Sequence, residues 1–569
     1  MTVLFNDPAE FAEEQLEGFV ELYSDRLRAV PGGVVAHRRG QPKVAVVIGG
    51  GSGHYPAFSG LVGPGFATGA VVGNIFTSPS AAQIYSVAKS SDQGFGVILS
   101  FGNYAGDVMN FGIAAERLRR EGIDTRIVVV TDDVASSPDA AQRRGIAGDF
   151  TVFKVMGAAA ERGDSLDEVQ RLGEAANAAT RSFGAAFAGC TMPGASEPLF
   201  TVPGGSISLG LGIHGEPGVQ DVPRLAANEL AEVLVNGILD ERPGSETERV
   251  AVILNGLGTT KYEELFVLWG AVARLLRDSS LTPVGVEVGE LVTSLDMGGC
   301  SLTLMWLDDE LEAAWQADAY TPAYRKLGVG TTGLRPADIG AEAATETRAP
   351  DASDAARDLV PALCAAVDQV RTVLHSHETE FGRIDAIAGD GDHGRGMVKG
   401  IDAAADSLAR TEGGVAWNLR RAGREWAARA GGTSGVLWGA GLEAAAEAIG
   451  DRRDAYDAAA ALAAVNAFLE AIRELGGAEP GDKTMVDALV PFSETLRAGI
   501  DQGRPLHRAW HEAAAAAATA AAATSALSPR KGRARPLAER SIGSPDAGAT
   551  SFAVVMAALT EHFPTKEPA

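Results

Sequence analysis

The chain has 569 residues, too many for one ordinary domain at roughly 100–200 residues each. With 46% hydrophobic and 22% charged residues it has the make-up of a folded globular protein, which excludes wholesale disorder. Its net charge of −25 argues against general binding to nucleic acid or to an anionic membrane, because both surfaces repel such a chain.

The N-terminal stretch Met1–Pro8 lacks the basic-then-apolar order of a signal peptide. From there, short β-branched runs alternate with helical patterns. Val44–Ile48 ends in three glycines, Val97–Leu99 follows, and Ile127–Val130 ends at Asp132-Asp133, with a helical pattern over Asp107–Glu121 between the last two. Short continuous apolar strands separated by helices predict a parallel sheet covered on both faces. The Gly/Pro-rich stretch near 190–205 reads as a junction. Beyond it, strand runs at Ser206–Leu211, Val250–Leu254 and Leu302–Trp306 alternate with helices at Arg224–Val235 and Lys261–Arg277, predicting a second α/β unit. Residues 331–354 are poor in apolar side chains and read as a linker between residues 1–330 and 355–569. After the linker, strand signals nearly vanish, and Ala-rich amphipathic helices, Ala513–Ala523 among them, predict an all-α bundle or barrel. Cys190, Cys300 and Cys364 form no C-x-x-C motif, which excludes a disulfide scaffold and a thiolate zinc site. No apolar run approaches the ~18 residues of a membrane span. The expectation is a soluble cytoplasmic protein.

Several motifs carry possible chemistry. Gly49-Gly50-Gly51-Ser52-Gly53-His54 follows a strand, and glycines there suggest a turn whose backbone N–H groups reach a ligand oxygen. It matches neither a dinucleotide fingerprint nor a Walker A loop. Asn103-Tyr104-Ala105-Gly106-Asp107 follows another strand, at the end where open α/β sheets bind ligands. Asp107 there is either a general base or a helix N-cap. His214 stands among Gly210, Gly212, Gly215, Pro217 and Gly218, as a nucleophile, base, metal ligand or simple turn residue. In the helical part, Asp385, Asp390 and Asp392 fall within eight residues. Carboxylates this close repel unless a cation lies between them, and hard oxygen donors suit Mg²⁺. Gly431-Gly432-Thr433-Ser434-Gly435 precedes an apolar helix and offers an anion site. Gly481-Asp482-Lys483-Thr484-Met485 and Gly543–Gly548 are turns able to border a nucleotide.

Taken together these motifs resemble the dihydroxyacetone kinase family in its single-chain, ATP-dependent form, over nearly the whole chain. The resemblance implies two α/β units followed by a helical barrel, usually as a homodimer, with ATP and Mg²⁺ as cofactors and a small ketose as substrate. It implies that Gly51, Ser52, Gly53, His54, Asp107 and His214 bind the ketose. His214 would hold the carbonyl carbon as a hemiaminal, Asp107 would take the hydroxyl proton and His54 would hydrogen-bond the substrate. It further implies that Asp385, Asp390 and Asp392 hold Mg²⁺, and that His393, Gly432, Thr433, Ser434, Gly435, Thr484, Met485 and Asp546 border ATP. The chain departs from the family pattern at Tyr55, Phe58 and Gly102, and at Arg533-Ala534-Arg535-Pro536. Those departures resemble members acting on four-carbon ketoses, the erythruloses. A sugar-binding regulator and an FAD-cyclising lyase are the alternatives from other classes.

Overall fold

The run Val44–Ile48 is buried on both faces: Val44, Val46 and Ile48 enter one core, Ala45 and Val47 another. Alternating side chains with both faces covered mark a central strand of a layered α/β fold. The computed structural model describes residues 2–38, 40–244, 247–328, 349–409, 412–531 and 535–562. It divides the chain into two units, Met1–Arg335 and Pro336–Ala569.

In the first unit, β1 (Leu27–Val30), β2 (Gly33–Ala36), β3 (Ala45–Ser52), β4 (Gly69–Ile75), β5 (Val97–Gly102) and β6 (Thr125–Val130) form one sheet. Its order is β1-β2-β4-β3-β5-β6. Strands β3 to β6 are parallel, as expected, and the β1–β2 hairpin adds to the edge antiparallel. The chain steps outward from β3 to β4 and then crosses to β5 on the other side. That reversal opens a crevice beyond the C-terminal ends of β3 and β5.

The second sheet holds β7 (Thr180–Ala188), β8 (Ser206–Leu209), β9 (Gln220–Pro223), β10 (Arg249–Gly256), β11 (Thr282–Gly289) and β12 (Gly298–Trp306), in the order β11-β10-β12-β7-β8-β9. It is mainly antiparallel, with β10 and β11 parallel. The stretch 190–205 does not separate two sheets as expected. Strand β7 precedes it yet pairs with β12 and β8, so the Gly/Pro-rich segment is a connection within the second sheet.

The helices of this unit are α1 (Phe11–Leu22), α2 (Ala81–Ser91), α3 (Ala105–Arg120), α4 (Gly148–Arg162), α5 (Leu166–Ala179), α6 (Ala227–Leu239), α7 (Tyr262–Asp278) and α8 (Asp309–Gln316). Helices α2 and α3 cover the outer face of the first sheet, and α6 and α7 that of the second. Between the sheets lie α4 and α5, where Phe150, Phe153 and Met156 share one core with Ile48 of β3 and Ile253 of β10. The two α/β parts therefore share a middle layer. Helix α4 is buried around its whole girth from Gly148 to Ala160, with Asp149, Thr151 and Lys154 included, because both of its sides are covered.

The second unit contains α9 (Asp354–Asp358), α10 (Val360–Asp385), α11 (His393–Ser407), α12 (Val415–Ala430), α13 (Gly432–Ile449), α14 (Ala458–Gly476), α15 (Val486–Asp501), α16 (Leu506–Ala523), α17 (Ala538–Ser541) and α18 (Ala547–Ala558). From α10 to α16 each long helix packs on the next, α16 packs on α18, and α18 returns to α10, closing a barrel. Helix α16 buries Ala509, Ala513, Ala514, Ala517 and Ala521, small side chains that let its neighbours approach closely. Trp426, Trp438, Phe468, Phe492 and Phe552 cluster inside, the two tryptophans stacked, Phe468 edge-on to Trp438 and Phe492 edge-on to Phe552, and line an apolar cavity of about 690 Å³. Of the expected linker, residues 331–348 lie outside the described residues. Ser353 caps α9, accepting the N–H of Ala356. Among the described residues no helix is long and apolar enough to cross a membrane.

Candidate functional site

The glycines before His54 are not a turn. Gly49–Gly51 form the extended end of β3, paired with β4. A Cβ at Gly49 would lie 2.8 Å from Cβ of Val71, and one at Gly50 2.7 Å from the ring of Phe58. These glycines serve close packing. Gly51 and Ser52 end the strand, and Gly53 turns the chain into His54.

His54 meets His214, which lies on the loop between β8 and β9, with their Nε2 atoms 3.1 Å apart. His54 is 4% exposed. Its Nδ1 lies 2.7 Å from the carbonyl oxygen of Thr293. A carbonyl only accepts, so Nδ1 carries the hydrogen and donates it. Burial, and then the charge of His214, push His54 down to about 3, which leaves it neutral with a lone pair on Nε2. On the far side of His214, Nδ1 lies 2.9 Å from Oε1 of Glu216, and Oε2 of Glu216 accepts the His214 backbone N–H at 2.6 Å. Burial opposes ionisation of Glu216, but the hydrogen bond and charge of His214 outweigh it and hold the carboxyl down at about 2. Nδ1 of His214 therefore also donates. Arg144 extends the chain of contacts: its guanidinium lies 3.7 Å from Glu216, pairs with Asp133 at 2.7 Å and donates to the Gly210 carbonyl at 3.0 Å.

Asp107 is the third residue of α3, and Tyr104 occupies the cap position, so the N-cap reading of Asp107 does not hold. Burial raises its carboxyl to about 6, against a hydrogen bond from Ser78 and the charge of His214. Oδ1 of Asp107, the hydroxyl of Tyr104 and Oγ of Ser52 are buried without a hydrogen-bond partner. Such groups are costly unless a ligand satisfies them.

The aromatic neighbours of the histidines are only in part those the sequence suggested. Phe76 stacks on His54 at 5.1 Å and meets His214 edge-on at 4.9 Å, and Tyr104 meets His214 at 5.1 Å. Phe76 adopts φ +55°, a costly left-handed conformation for a bulky residue and one that recurs at functional sites. Phe58 does meet His54 edge-on at 6.5 Å, and also packs under Gly50 and towards Phe153, whereas Tyr55 turns towards Phe19. At Gly102 a Cβ would lie 3.0 Å from the carbonyl oxygen of Gly145, so backbone occupies the space that the missing side chain was expected to open. Arg533 and Ala534 lie outside the described residues.

The helical unit holds a second cavity, of about 300 Å³. Asp385 ends α10, and Asp390 and Asp392 lie on the turn before α11. Carboxylate oxygens of the three lie within 4.8 Å of one another. Gly391, at φ +78°, permits the turn, and its N–H donates to Oδ2 of Asp385 at 2.8 Å. This set of hard oxygen donors fits Mg²⁺. Opposite them, Gly432, Thr433 and Ser434 open α13, where free backbone N–H groups favour an anion. His393 lines the cavity and ties three helices together, with Nδ1 3.2 Å from Oγ of Ser434 and Nε2 2.9 Å from Oγ of Ser551; burial lowers its pKa. Thr484, Met485 and Asp546 also line it. Asp546 caps α18, accepting the Ala549 N–H at 2.7 Å, and burial raises it to about 6. Gly435 does not line the cavity; it is buried, and a Cβ there would meet Ala430 at 3.0 Å. Lys483 and Lys531 border the cavity as well, the first anchored to the carbonyls of Ser541 and Leu527.

Sequence reasoning assigned no role to Glu216, Arg144, Thr293, Phe76 or Lys531. Glu216 carried a usable signal, as the only carboxylate in the glycine-rich His214 loop. The others carried none, because only tertiary folding brings them to the sites.

Residues 17–323 match the Dak1 domain and residues 387–561 the DAK2 domain. The chain is 56% identical over 564 residues to the D-erythrulose kinase of Mycolicibacterium smegmatis, covering 97% of each. It is 50% identical to the L-erythrulose kinase of Pectobacterium atrosepticum, covering 98% of this chain and 96% of that one. The structure is similar to that of the dihydroxyacetone kinase from C. freundii in complex with AMP-PNP and Mg²⁺. The TM-score is 0.58 at 31% identity, over 98% of this chain and 99% of that chain.

Proposed function

The chain belongs to the dihydroxyacetone kinase family and is an ATP-dependent ketose kinase; on that premise we propose that it phosphorylates a terminal hydroxyl of erythrulose, held as a hemiaminal on His214. The observation that carries this reading is the contact of the half-buried His214 with the buried His54, close to the raised carboxyl of Asp107. An imidazole held on both sides within a crevice is positioned to add to a carbonyl. Asp107, ionised above about pH 6, takes the proton of the terminal hydroxyl as that oxygen attacks the γ-phosphorus. In the helical unit Asp385, Asp390 and Asp392 would hold Mg²⁺, and the N–H groups at Gly432–Ser434 the phosphates. The metal supplies charge neutralisation on the phosphate oxygens.

The complete carboxylate cluster and anion site favour a kinase over a sugar-binding regulator. Relatives 56% and 50% identical to the chain bear erythrulose kinase names, which favours the kinase over an FAD-cyclising lyase. The test is incubation with MgATP and erythrulose, with the product read by ³¹P NMR. A sugar phosphate and ADP are expected in equal amounts, and ATP hydrolysis without sugar phosphate would overturn the reading.

A further inference from the structure

His54 and His214 present facing Nε2 atoms at 3.1 Å, and both Nδ1 atoms are committed as donors, one to the Thr293 carbonyl and one to the Glu216 carboxylate. A hydrogen bond between two Nε2 atoms needs one proton, in addition to the two on the Nδ1 atoms. The pair thus carries one positive charge, and the carboxylate in direct contact with it is Glu216. That carboxylate is itself fixed from behind. One oxygen takes the backbone N–H of His214 at 2.6 Å, and Arg144 stands 3.7 Å away, held by Asp133 and the Gly210 carbonyl.

The geometry points to Glu216 as the positioning residue for covalent ketose capture: it keeps the hydrogen of His214 on Nδ1, directs addition to Nε2 and neutralises the cationic adduct. This rests on the hemiaminal reading above. The bookkeeping closes without an outside reagent. The Nε2–H bond of His214 breaks and leaves its electron pair on Nε2. That pair forms the N–C bond to the carbonyl carbon. The π pair of the carbonyl moves to its oxygen, which takes the proton that lay between the two Nε2 atoms. The ring, substituted on Nε2 and still protonated on Nδ1, carries one positive charge, as the pair did before. Glu216 faces that charge before and after addition, in a site where an unneutralised cation is costly.

The experiment separates charge from shape in the full-length chain. Glu216→Gln keeps the side-chain shape and removes the charge; Glu216→Asp keeps the charge and shortens the side chain. Ketose labelled with ¹³C at the carbonyl carbon reports the adduct directly, because the signal leaves the carbonyl region for that of a tetrahedral carbon. The wild-type chain is expected to show the tetrahedral signal. Glu216→Gln is expected to lose most of it and to raise the ketose KM at least tenfold with the ATP KM unchanged. Glu216→Asp is expected to retain more adduct than Glu216→Gln. If Glu216→Gln holds as much adduct as wild type, or more than Glu216→Asp, Glu216 acts through shape and the inference is overturned. If wild type itself shows only the carbonyl signal, the hemiaminal reading fails and takes this inference with it.

Discussion

The Nε2 atoms of His54 and His214 lie 3.1 Å apart across 160 residues of chain. One follows a strand of the first sheet and the other lies on a loop of the second. Residues Thr293–Leu295 tie the two together: the N–H groups of Thr293 and Leu295 donate to the carbonyls of His54 and Gly53, and the Ser294 hydroxyl donates to the Ile213 carbonyl. His214→Ala is therefore expected to lower ketose kcat/KM by ~10²-fold or more, the scale of a lost positioning interaction. The helical unit is expected to bind MgATP as before. Steady-state kinetics with nucleotide binding by calorimetry checks both, and unchanged ketose kcat/KM would exclude the anchoring role.

The Asp107 carboxyl gives a pH prediction. Burial raises it to about 6, and a base works only when ionised. Ketose kcat/KM, which reports the free enzyme, is therefore flat above this range and falls about tenfold per pH unit below it. Asp133 is also raised to about 6, by burial opposed by Arg144, but its carboxylate pairs with Arg144. Asp133→Asn is expected to leave the midpoint in place. A midpoint that moves with Asp133→Asn would assign the limb to that residue.

Much of this arrangement was legible in the sequence, and the remainder has physical reasons for being hidden. Apolar runs gave β3, β5 and β6 of the first sheet, though not β1, β2 or β4, because a doubly covered strand has a continuous apolar signature. The same signature hid β7, whose Thr180, Ser182 and Gly184 break the run while pairing with β12 in the middle of the sheet. Gly49–Gly51 read as a turn, since a glycine needed for close packing carries the same letter as one needed for a bend. Asp385, Asp390 and Asp392 were readable as a cluster because they fall within eight residues of sequence, at the end of α10 and on the turn that follows. Phe76 and Thr293 were not, because their closeness to the histidines exists only in the folded sheet pair.

For the carboxylate cluster, Asp390→Asn and Asp392→Asn are each expected to weaken Mg²⁺-dependent nucleotide binding and to abolish most turnover, since an amide cannot offset a cation's charge. Titrating Mg²⁺ against turnover at fixed ATP reads this directly. A wild-type Mg²⁺ dependence in both variants would mean the cluster is only an acidic turn.

Gly49→Ala tests the strand against the turn. Its Cβ would enter within 2.8 Å of both Cβ and the carbonyl oxygen of Val71, in the centre of the first sheet. Overpacking of this kind costs ~1–3 kcal/mol. Thermal unfolding is expected to show a lower Tm, with the catalytic side chains untouched. An unchanged Tm would mean that β3 and β4 part at this point.

The last prediction concerns the ketose. Erythrulose is expected to exceed dihydroxyacetone in kcat/KM by about tenfold. Sequence alone placed the reason in Tyr55, Phe58 and Gly102; the folded site keeps Phe58 beside His54 and adds other groups. Phe76 and Tyr104 flank His214, and Ser52 Oγ, the Tyr104 hydroxyl and Asp107 Oδ1 are buried and unpartnered. With the carbonyl carbon at His214 and one terminal hydroxyl at Asp107, dihydroxyacetone has one hydroxyl left to offer. Erythrulose has one more, and one more carbon to lay against the aromatic rings. The extra carbon is worth ~1–3 kcal/mol at most, whereas a buried polar group left unpaired penalises the smaller sugar more heavily. The measurement is side-by-side kinetics on dihydroxyacetone, D-erythrulose and L-erythrulose at saturating MgATP, repeated on Ser52→Ala. Removing that hydroxyl is expected to narrow the gap between the four-carbon and three-carbon ketoses. A clear lead for dihydroxyacetone in the wild-type chain would refute the four-carbon reading and leave the ketose kinase assignment standing.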